Sequence, residues 1–288
     1  MVTIGNFDGV HLGHRALLAA ARQLAGDGQV CAFTFNPSPR DVLAPPDKRQ
    51  PLLQPIDERV DALLRCGADQ VVVEPFDRAM AALEAADFCI EILRRRLGAS
   101  GVVVGWDFRF GHGRAGDAGV IERVLGLPVV QVGGVEVDGV VVSSSRVRRC
   151  LADGDVALAA RLLGRPHDVA GVVEHGDQRG RTLGFPTANV GVTGGLVPAH
   201  GVYAVRALVG GVVRPGVANV GTRPTFHGTG VRVEVHLFDF AGDLYDEPIR
   251  VDFIERVREE RPFPGLDALV DQIRADADFA RAVLAERP

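Results

Sequence analysis

The stretch Gly5-Asn6-Phe7-Asp8-Gly9-Val10-His11-Leu12-Gly13-His14 lies between a short apolar run, residues 2–4, and a segment of helical periodicity, residues 17–25. This order predicts a strand, a glycine-containing loop and a helix. Glycines let the backbone approach a ligand, and a helix N-terminus offers free N–H groups to an anion. His11 and His14 are three positions apart, so they would point the same way in the first helical turn. The junction is therefore suited to a phosphate.

The two histidines also allow other interpretations. At this spacing they could form half of a metal site, although no set of neighbouring ligands completes it. They could equally be two surface histidines with no role. The ten-residue pattern as a whole favours phosphate binding over both alternatives.

The composition indicates a globular protein with enough apolar residues for real cores. Its 288 residues, 47% of them hydrophobic, suffice for two domains or one large one. No apolar run approaches the ~20 residues of a membrane-spanning helix. The N-terminus has no basic segment followed by an apolar one, so we expect no secretory signal. The four cysteines have no CxxC spacing, so we expect reduced thiols in a cytoplasmic protein. The net charge of −5 gives no electrostatic reason to expect nucleic-acid binding.

Lys48 is the only lysine in the sequence. A P-loop needs a Gly-Lys-Ser/Thr sequence and a Schiff base needs a reactive lysine, so neither mechanism has a credible residue to use. Phosphates would have to be bound by arginines, histidines, hydroxyl groups, backbone N–H groups and a metal ion.

The first half of the chain alternates strand and helix patterns. The strands are predicted at residues 29–35, 70–73, 101–105 and 128–132. The helices are predicted at residues 56–66, 79–97 and 119–125. This alternation predicts an α/β fold with a doubly wound parallel sheet. A short strand at 140–142 then leads into a helical pattern that ends at Gly164.

After residue 167 the periodicity changes to short β-forming runs that are separated by Gly, Pro and Asn. These runs are residues 168–174, 201–209, 216–220, 231–240 and 249–258. Because no helical pattern lies between them, we expect an antiparallel β-barrel. A single helix with an apolar stripe closes the chain. The sequence therefore predicts two domains, residues 1–164 and 165–288.

In the first domain, two further segments carry polar groups. A Pro-rich loop, residues 36–40, follows a predicted strand, and the carboxyl ends of strands are where an open α/β sheet places ligands. Ser143, Ser144 and Ser145 open a helix. Three such hydroxyls ordinarily cap the helix, but they could also hold a triphosphate, with Arg146 one residue further on.

In the second domain, Glu234 lies within a predicted strand whose alternation places His236 and Phe238 on the same face. Taken alone, Glu234 is best explained as a solvent-facing strand residue. A carboxylate in this position could also act as a base, because phosphorylating an alcohol is helped by proton removal.

A Gly/Arg-rich loop, residues 176–184, precedes Thr187 and Asn189. Its backbone and guanidinium donors could wrap a polyphosphate. The hydroxyl of Thr187 and the amide of Asn189 are hard oxygen ligands suited to Mg²⁺ beside ATP. The alternative is an ordinary Gly-rich hairpin followed by a turn.

Four sequence motifs carry a resemblance to a known family. GNFDGVHLGH (residues 5–14) resembles the extended HxGH signature of bacterial bifunctional riboflavin kinase/FMN adenylyltransferases, also called FAD synthetases. GRTLGFPTAN (180–189), NVGTRPTF (219–226) and EVHLFDF (234–240) resemble riboflavin kinase segments in the right order. The resemblance implies that the barrel phosphorylates riboflavin to FMN and that the α/β domain converts FMN to FAD, each step using ATP and Mg²⁺.

The resemblance also implies roles for individual residues. His11, His14 and Glu234 would be catalytic, with Glu234 as the base of the kinase step. The nucleotide-binding residues would be Gly5, Asn6, Asp8, Gly9, Ser143, Ser144, Ser145, Arg146, Gly180, Arg181 and Thr187. The flavin-binding residues would be Asn36, Asp107, Phe108 and Arg109, and the metal ligands would be Thr187 and Asn189. We expect small-molecule substrates, namely riboflavin, FMN and ATP, with no membrane partner; the oligomeric state stays open.

One departure from the family pattern bears on activity. Ser38 stands where the family commonly has a histidine, so a chain in which only the kinase half is active stays an alternative. A non-catalytic flavin- or nucleotide-binding protein is the other alternative. The intact Glu234, His11 and His14 favour an enzyme, because binding alone would not need them.

Overall fold

The computed structural model describes residues 1–175, 184–225 and 228–287, and it describes only the backbone at 223–225 and 228–230. The chain divides into two compact units, Met1–Ser144 and Ser145–Pro288. Among the described residues, no helix is both long and apolar enough to cross a membrane.

The first unit is built on a five-stranded parallel sheet in the order β3-β2-β1-β4-β5. The strands are β1 (Val2–Ile4), β2 (Cys31–Phe35), β3 (Gln70–Glu74), β4 (Val102–Gly105) and β5 (Val129–Val132). The helices are α1 (Leu12–Ala25), α2 (Pro39–Leu43), α3 (Ile56–Arg65), α4 (Arg78–Ala82), α5 (Ala85–Asp87) and α6 (Ala118–Leu125), with a π-helical segment at Phe88–Arg96. The predicted parallel α/β sheet is confirmed.

Helices cover both faces of this sheet, as the uninterrupted apolar strands require. Val102 and Val104 of β4 are fully buried in a cluster with the π-helical segment and α6. Val103, which points to the opposite face, is buried with residues of α1 and α3. The apolar face of α1 is narrower than its sequence suggested, since Leu24 at its end is 48% exposed.

Two predicted elements of this unit differ in the structure. The helix predicted at 79–97 is interrupted at Leu83, which has an extended backbone. The carbonyl of Leu83 accepts a hydrogen bond from the backbone of His112, so a long-range contact ends α4. The strand predicted at 140–142 pairs only with its neighbour, forming a hairpin of β6 (Glu136–Val137) and β7 (Val140–Val141) outside the main sheet.

Two helices, α7 (Ser144–Asp153) and α8 (Val156–Leu163), replace the single helix predicted before Gly164. Gly154 separates them with a φ of 78°, and the side chain of Asp155 caps α8. Because α8 contacts strands of the second unit, that compact unit begins at Ser145, before the boundary predicted at 164/165. The extent of the functional domains stays a prediction.

The second unit is a closed antiparallel barrel in the order β10-β11-β12-β9-β8-β13. Its strands are β8 (His167–Glu174), β9 (Ala188–Gly194), β10 (Gly201–Val209), β11 (Val212–Thr225), β12 (Gly228–Leu237) and β13 (Pro248–Arg258). The predicted barrel is confirmed, but β9 was not predicted and β11 is longer than expected. Within the described residues, each barrel strand pairs with a neighbour on both sides.

The terminal helix α9 (Leu266–Glu286) packs against the outer surface of the barrel. Ala277, Ala280 and Leu284 are buried against Val217 and other outward-facing strand residues. Leu266, predicted to belong to the apolar stripe, is 60% exposed because it lies in the first turn. The helix therefore covers one side of the barrel.

We expect Phe253→Ala to destabilise the barrel strongly. Phe253 has no exposed surface, and its ring lies edge-on to Tyr203 at 5.4 Å between centroids. Removing it leaves a cavity that costs about 3–5 kcal/mol of unfolding free energy. Scanning calorimetry of this variant should show a large fall in melting temperature. Val213→Ala, which truncates a side chain that is 55% exposed, serves as the control and should change the free energy by less than ~0.5 kcal/mol. Similar losses in both variants would contradict this assignment of the core.

Candidate active sites

The loop between β1 and α1 has an unusual backbone that is held in place by packing. Phe7, Gly9 and Val10 have φ values of 49°, 85° and 43°. Two of these are not glycines, and L-residues rarely adopt such angles. The side chains of Phe7 and Val10 are almost completely buried, which stabilises the conformation. Their burial fixes the direction in which the chain enters α1.

The two histidines of the HxGH pattern form a stacked pair. Their ring centroids are 3.5 Å apart and their planes differ by 16°. The Nδ1 atom of His11 accepts a hydrogen bond from the backbone N–H of His14, so His11 caps α1. A Cβ atom at Gly13 would lie 3.1 Å from the His11 ring. The glycine between the histidines therefore leaves room for the stacked arrangement.

Both rings are in an environment that favours the neutral imidazole. Burial lowers the pKa of His11 from 6.5 to about 4. The pKa of His14 is lowered well below its usual value, mainly by burial and further by the charges of His11 and Arg59. Near pH 7 the pair can offer N–H groups to a ligand without carrying a charge.

A buried ion pair lies beneath this loop. Arg59, only 1% exposed, donates to the carbonyl of Asn6 at 3.1 Å and approaches Oδ1 of Asp8 at 3.9 Å. The Asp8 carboxylate also accepts from the backbone N–H groups of Leu53 and Gln54, at 2.9 and 3.3 Å. The Asp8 carboxylate is thus engaged with the protein, and its predicted contact with a nucleotide stays a prediction.

Arg59 was not identified from the sequence. A signal does exist, since Arg59 shares the buried face of α3 with Ala62 and Leu63, three and four residues further on. A charged side chain on an apolar helix face needs a buried partner. The identity of that partner depends on the tertiary fold.

Of the other predicted residues, Ser144 contacts the loop directly. The hydroxyl of Ser144 donates to the carbonyl of Asp8 at 2.9 Å, which brings the start of α7 to the loop. Gly5 donates its backbone N–H to Phe33. Ser145 and Arg146 lie in the first turn of α7, within the second unit. Ser38 caps α2, and its hydroxyl donates to Asp41 at 2.8 Å.

The predicted flavin-contacting residues follow β2 and β4 at the same edge of the sheet. Asn36 follows β2, and Asp107, Phe108 and Arg109 follow β4, which pairs in parallel with β1. Strand order reverses between β1 and β4, and open α/β sheets bind ligands at such a point. Phe108 stacks on Phe110 at 5.4 Å, while Asp107 and Arg109 are exposed. Their role in binding flavin stays a prediction.

In the barrel, strand register brings the predicted kinase residues together. Glu234 of β12 is opposite Asn189 of β9 on one side and Asn219 of β11 on the other. Val233 and Val235 are fully buried, while Glu234 is partly exposed on the outer face. The alternation predicted from the sequence is therefore present.

Arg232, also overlooked in the sequence, bridges two of these residues. Its Nε donates to Oδ1 of Asn189 at 2.8 Å, and its Nη2 lies 2.6 Å from Oε1 of Glu234. The Asn189 amide oxygen thus faces a cation, and Thr187, two residues earlier in the chain, lines the same cavity as Arg232 and Glu234. This oxygen-donor chemistry fits Mg²⁺, the ion that the sequence motif implies.

A cavity of about 700 Å³ lies next to these residues, on the side of the barrel that α9 covers. Its wall includes Glu234 and Phe263, and this volume suits a small organic molecule. The Nε atom of Arg258 donates to both carboxylate oxygens of Asp276 of α9, at 3.0 and 2.9 Å, and the guanidinium lies 5.4 Å from the centre of the Phe263 ring. Arg258 thus connects β13 to the covering helix. The predicted nucleotide contacts Gly180 and Arg181 lie outside the described residues.

The pKa of His11 predicts a dependence of stability on pH. The unfolded chain, in which histidine titrates near 6.5, binds this proton more readily than the folded chain, where the pKa is about 4. The stabilising contribution is therefore complete above pH 6.5 and is lost as the pH falls towards 4. The variant His11→Asn keeps a capping side chain but loses the titrating ring. As the pH falls from 7.5 to 5, we expect the melting temperature of this variant to decrease less steeply than that of the wild type. The exposed His112 provides the control variant His112→Asn. Equal slopes in the wild type and His11→Asn would contradict the role of His11 burial.

Comparison with known proteins also divides the chain into two parts. A family model described as FAD synthetase matches residues 1–146, and one described as riboflavin kinase matches residues 163–284. A solved structure described as a macrolide-efflux protein from Streptococcus pneumoniae superposes with a TM-score of 0.91 at 34% identity, covering 97% of this chain and 93% of that one.

Curated relatives are similar along almost the full chain. The bifunctional riboflavin kinase/FMN adenylyltransferase of Escherichia coli (strain K12) is 43% identical over 98% of this chain and 91% of its own length. The enzyme of the same description from Bacillus subtilis (strain 168) is 36% identical over 97% and 91%. The resemblance seen in the sequence motifs is confirmed, and the chain belongs to the bifunctional riboflavin kinase/FMN adenylyltransferase family.

Proposed function

We propose that this chain makes FAD from riboflavin in two ATP-dependent steps. The barrel unit phosphorylates riboflavin to FMN, and the α/β unit transfers AMP from ATP to FMN with release of pyrophosphate. The observation that carries this proposal is the agreement between the two family matches and two separate constellations, a stacked histidine pair in one unit and a carboxylate beside a cavity in the other.

In the kinase step, Glu234 acts as the base. A ribityl hydroxyl is a very weak acid, so a carboxylate that accepts its proton helps while the bond to the γ-phosphorus forms. Glu234 is suited to this role because it is partly exposed and lines the 700 Å³ cavity. Thr187 and Asn189 would hold Mg²⁺, which when bound neutralises charge on the ATP phosphates. Positioning supplies most of the remaining acceleration.

In the adenylyl-transfer step, no base is needed, because the attacking phosphate of FMN is already ionised near neutral pH. The reaction needs in-line positioning and stabilisation of charge at the α-phosphate. The neutral rings of His11 and His14 can donate N–H groups there, and the N-terminus of α1 adds its positive dipole end. Ser143 to Arg146 would add hydroxyl and guanidinium donors.

We place the two activities in residues 1–164 and 165–288, and the protein in the cytoplasm. The family matches that begin at residue 1 and residue 163 support this division. All four cysteines are free thiols, and burial raises the pKa of Cys89 to about 11, so its thiol stays protonated. Free thiols are expected in a reducing compartment.

The direct test is to incubate the purified chain with riboflavin, ATP and Mg²⁺ and to separate the flavins by chromatography over time. We expect FMN to rise first and then to give way to FAD. Accumulation of FMN without FAD would restrict the proposal to the kinase and direct attention to Ser38. The absence of any product would favour a non-catalytic flavin-binding protein.

Glu234→Gln should abolish FMN formation and spare the second step. The amide cannot accept the hydroxyl proton, so we expect the rate of riboflavin phosphorylation to fall by at least about 10²-fold. Conversion of added FMN to FAD should continue at the wild-type rate, which shows that the chain is folded. Glu247→Gln, at an exposed position before β13, is the matched control and should leave both rates unchanged. Loss of both activities in Glu234→Gln would argue against separate sites.

Replacing His11 and His14 together with alanine should have the opposite effect. Without the imidazole N–H donors, we expect adenylylation of FMN to fall by at least about 10²-fold, while riboflavin phosphorylation is kept. Both rates can be measured in the same reaction by chromatography. His112→Ala removes an exposed histidine of the same unit and should change neither rate. A normal yield of FAD from the double variant would refute the role of the histidine pair.

A further inference from the structure

The kinase site contains a positive charge of its own. We propose that Arg232 is a resident cation of this site, and that a Mg²⁺–nucleotide complex displaces its guanidinium from Asn189 when it binds. The inference rests on the proposed function, because it concerns the same site and takes Asn189 as a metal ligand. It adds a positioning residue that controls how readily the site accepts the metal.

The first support is the way in which Arg232 occupies Asn189. Two nitrogens of the guanidinium, Nε at 2.8 Å and Nη2 at 2.5 Å, donate to the same amide oxygen, Oδ1. A carbonyl oxygen has two lone pairs, so both are already used. A metal ion cannot coordinate this oxygen until at least one of these hydrogen bonds is released.

The second support is the position of Glu234. The Nη2 atom that contacts Asn189 also lies 2.6 Å from Oε1 of Glu234. One guanidinium therefore engages both the proposed metal ligand and the proposed base. Mg²⁺ and the guanidinium would both be attracted to the Glu234 carboxylate, and as two cations they would repel each other.

The third support is the strand geometry that holds the three residues together. Asn189 and Glu234 are directly opposite on β9 and β12, and Arg232 lies two residues before Glu234 on the same face of β12. The side chains of Arg232 and Glu234 are 23% and 25% exposed, and both line the cavity. The pair is thus less screened by solvent than an ordinary surface ion pair.

The consequence is a coupling between the metal and the arginine. Before substrate arrives, Arg232 holds Glu234 and Asn189 at a fixed spacing and balances the carboxylate charge. Part of the binding free energy of the Mg²⁺–nucleotide is used to release this contact. The Mg²⁺ concentration needed for half-maximal nucleotide binding is therefore higher than it would be with the oxygen ligands alone. Removal of the guanidinium should therefore lower the requirement.

The experiment is a calorimetric titration of the full chain with ADP at a series of Mg²⁺ concentrations. The wild type is compared with R232Q and with R250Q. Arg250 is a matched control, because it also pairs with an acid two residues further along a barrel strand, Asp252 at 3.5 Å. For R232Q we expect the Mg²⁺ concentration that gives half-maximal ADP binding to fall at least about threefold, and for R250Q no change.

A Mg²⁺ requirement that is unchanged or higher in R232Q would overturn the inference. The melting temperature and FMN adenylylation by the same variants report whether the chain is folded. A wild type that binds no ADP at any Mg²⁺ concentration would overturn the proposed kinase function and this inference with it. Mg²⁺-dependent binding by the wild type with no effect of R232Q would overturn only the role of Arg232.

A second measurement is made on the wild-type chain. The variant R232Q serves to assign the signal, and R232K replaces it if R232Q does not fold. The Nε–H resonance of Arg232 is followed by NMR during addition of ADP and then of Mg²⁺. We expect it to move when Mg²⁺ is added in the presence of ADP, because the hydrogen bond to Asn189 is lost. A resonance that keeps its position and its slow exchange with water at saturating Mg²⁺ and ADP would overturn the displacement.

Discussion

Backbone pairing of β12 with β9 and β11 is the interaction on which the barrel and its site both depend. The same register closes the barrel and places Glu234 between Asn189 and Asn219. Side chains alternate between the two faces of a strand, so a slip of one residue would turn Glu234 inwards and expose the valines of the core. The hydrophobic burial of Val233 and Val235 therefore holds the carboxylate on the cavity side. Stability and chemistry are specified together here.

In the α/β unit the corresponding constraint is burial of the loop between β1 and α1. The packing of Phe7 and Val10 stabilises a backbone conformation that is otherwise unfavourable, and the buried guanidinium of Arg59 holds the carbonyl of Asn6. The same burial removes water from His11 and His14 and keeps them neutral. A charged, solvated histidine pair would be less suited to donating N–H groups from fixed positions. The scaffold thus sets the protonation state of the site as well as its geometry.

Much of this arrangement could be predicted from local patterns. Apolar runs alternating with helical periodicity indicated the parallel sheet, and the alternation around Glu234 indicated its face correctly. Strand β9 was missed because its sequence contains Gly191 and Gly194, and it is formed through long-range pairing with β8 and β12. The break at Leu83 likewise depends on a distant backbone group. The roles of Arg59 and Arg232 were not predicted, because they depend on partners that only the tertiary fold brings close.

The single lysine has a practical consequence for handling this enzyme. Lys48 is exposed at the end of a 3₁₀ turn, Pro46–Lys48, and the cations described at both sites are guanidinium groups. Guanidinium groups do not react with the active esters that modify amines. Dyes, biotin or a solid support attached by amine coupling would therefore reach only Lys48 and the α-amino group, leaving the charges of both sites intact. Enzymatic acetylation of lysine side chains is likewise restricted to Lys48, so it cannot neutralise the arginines at either site.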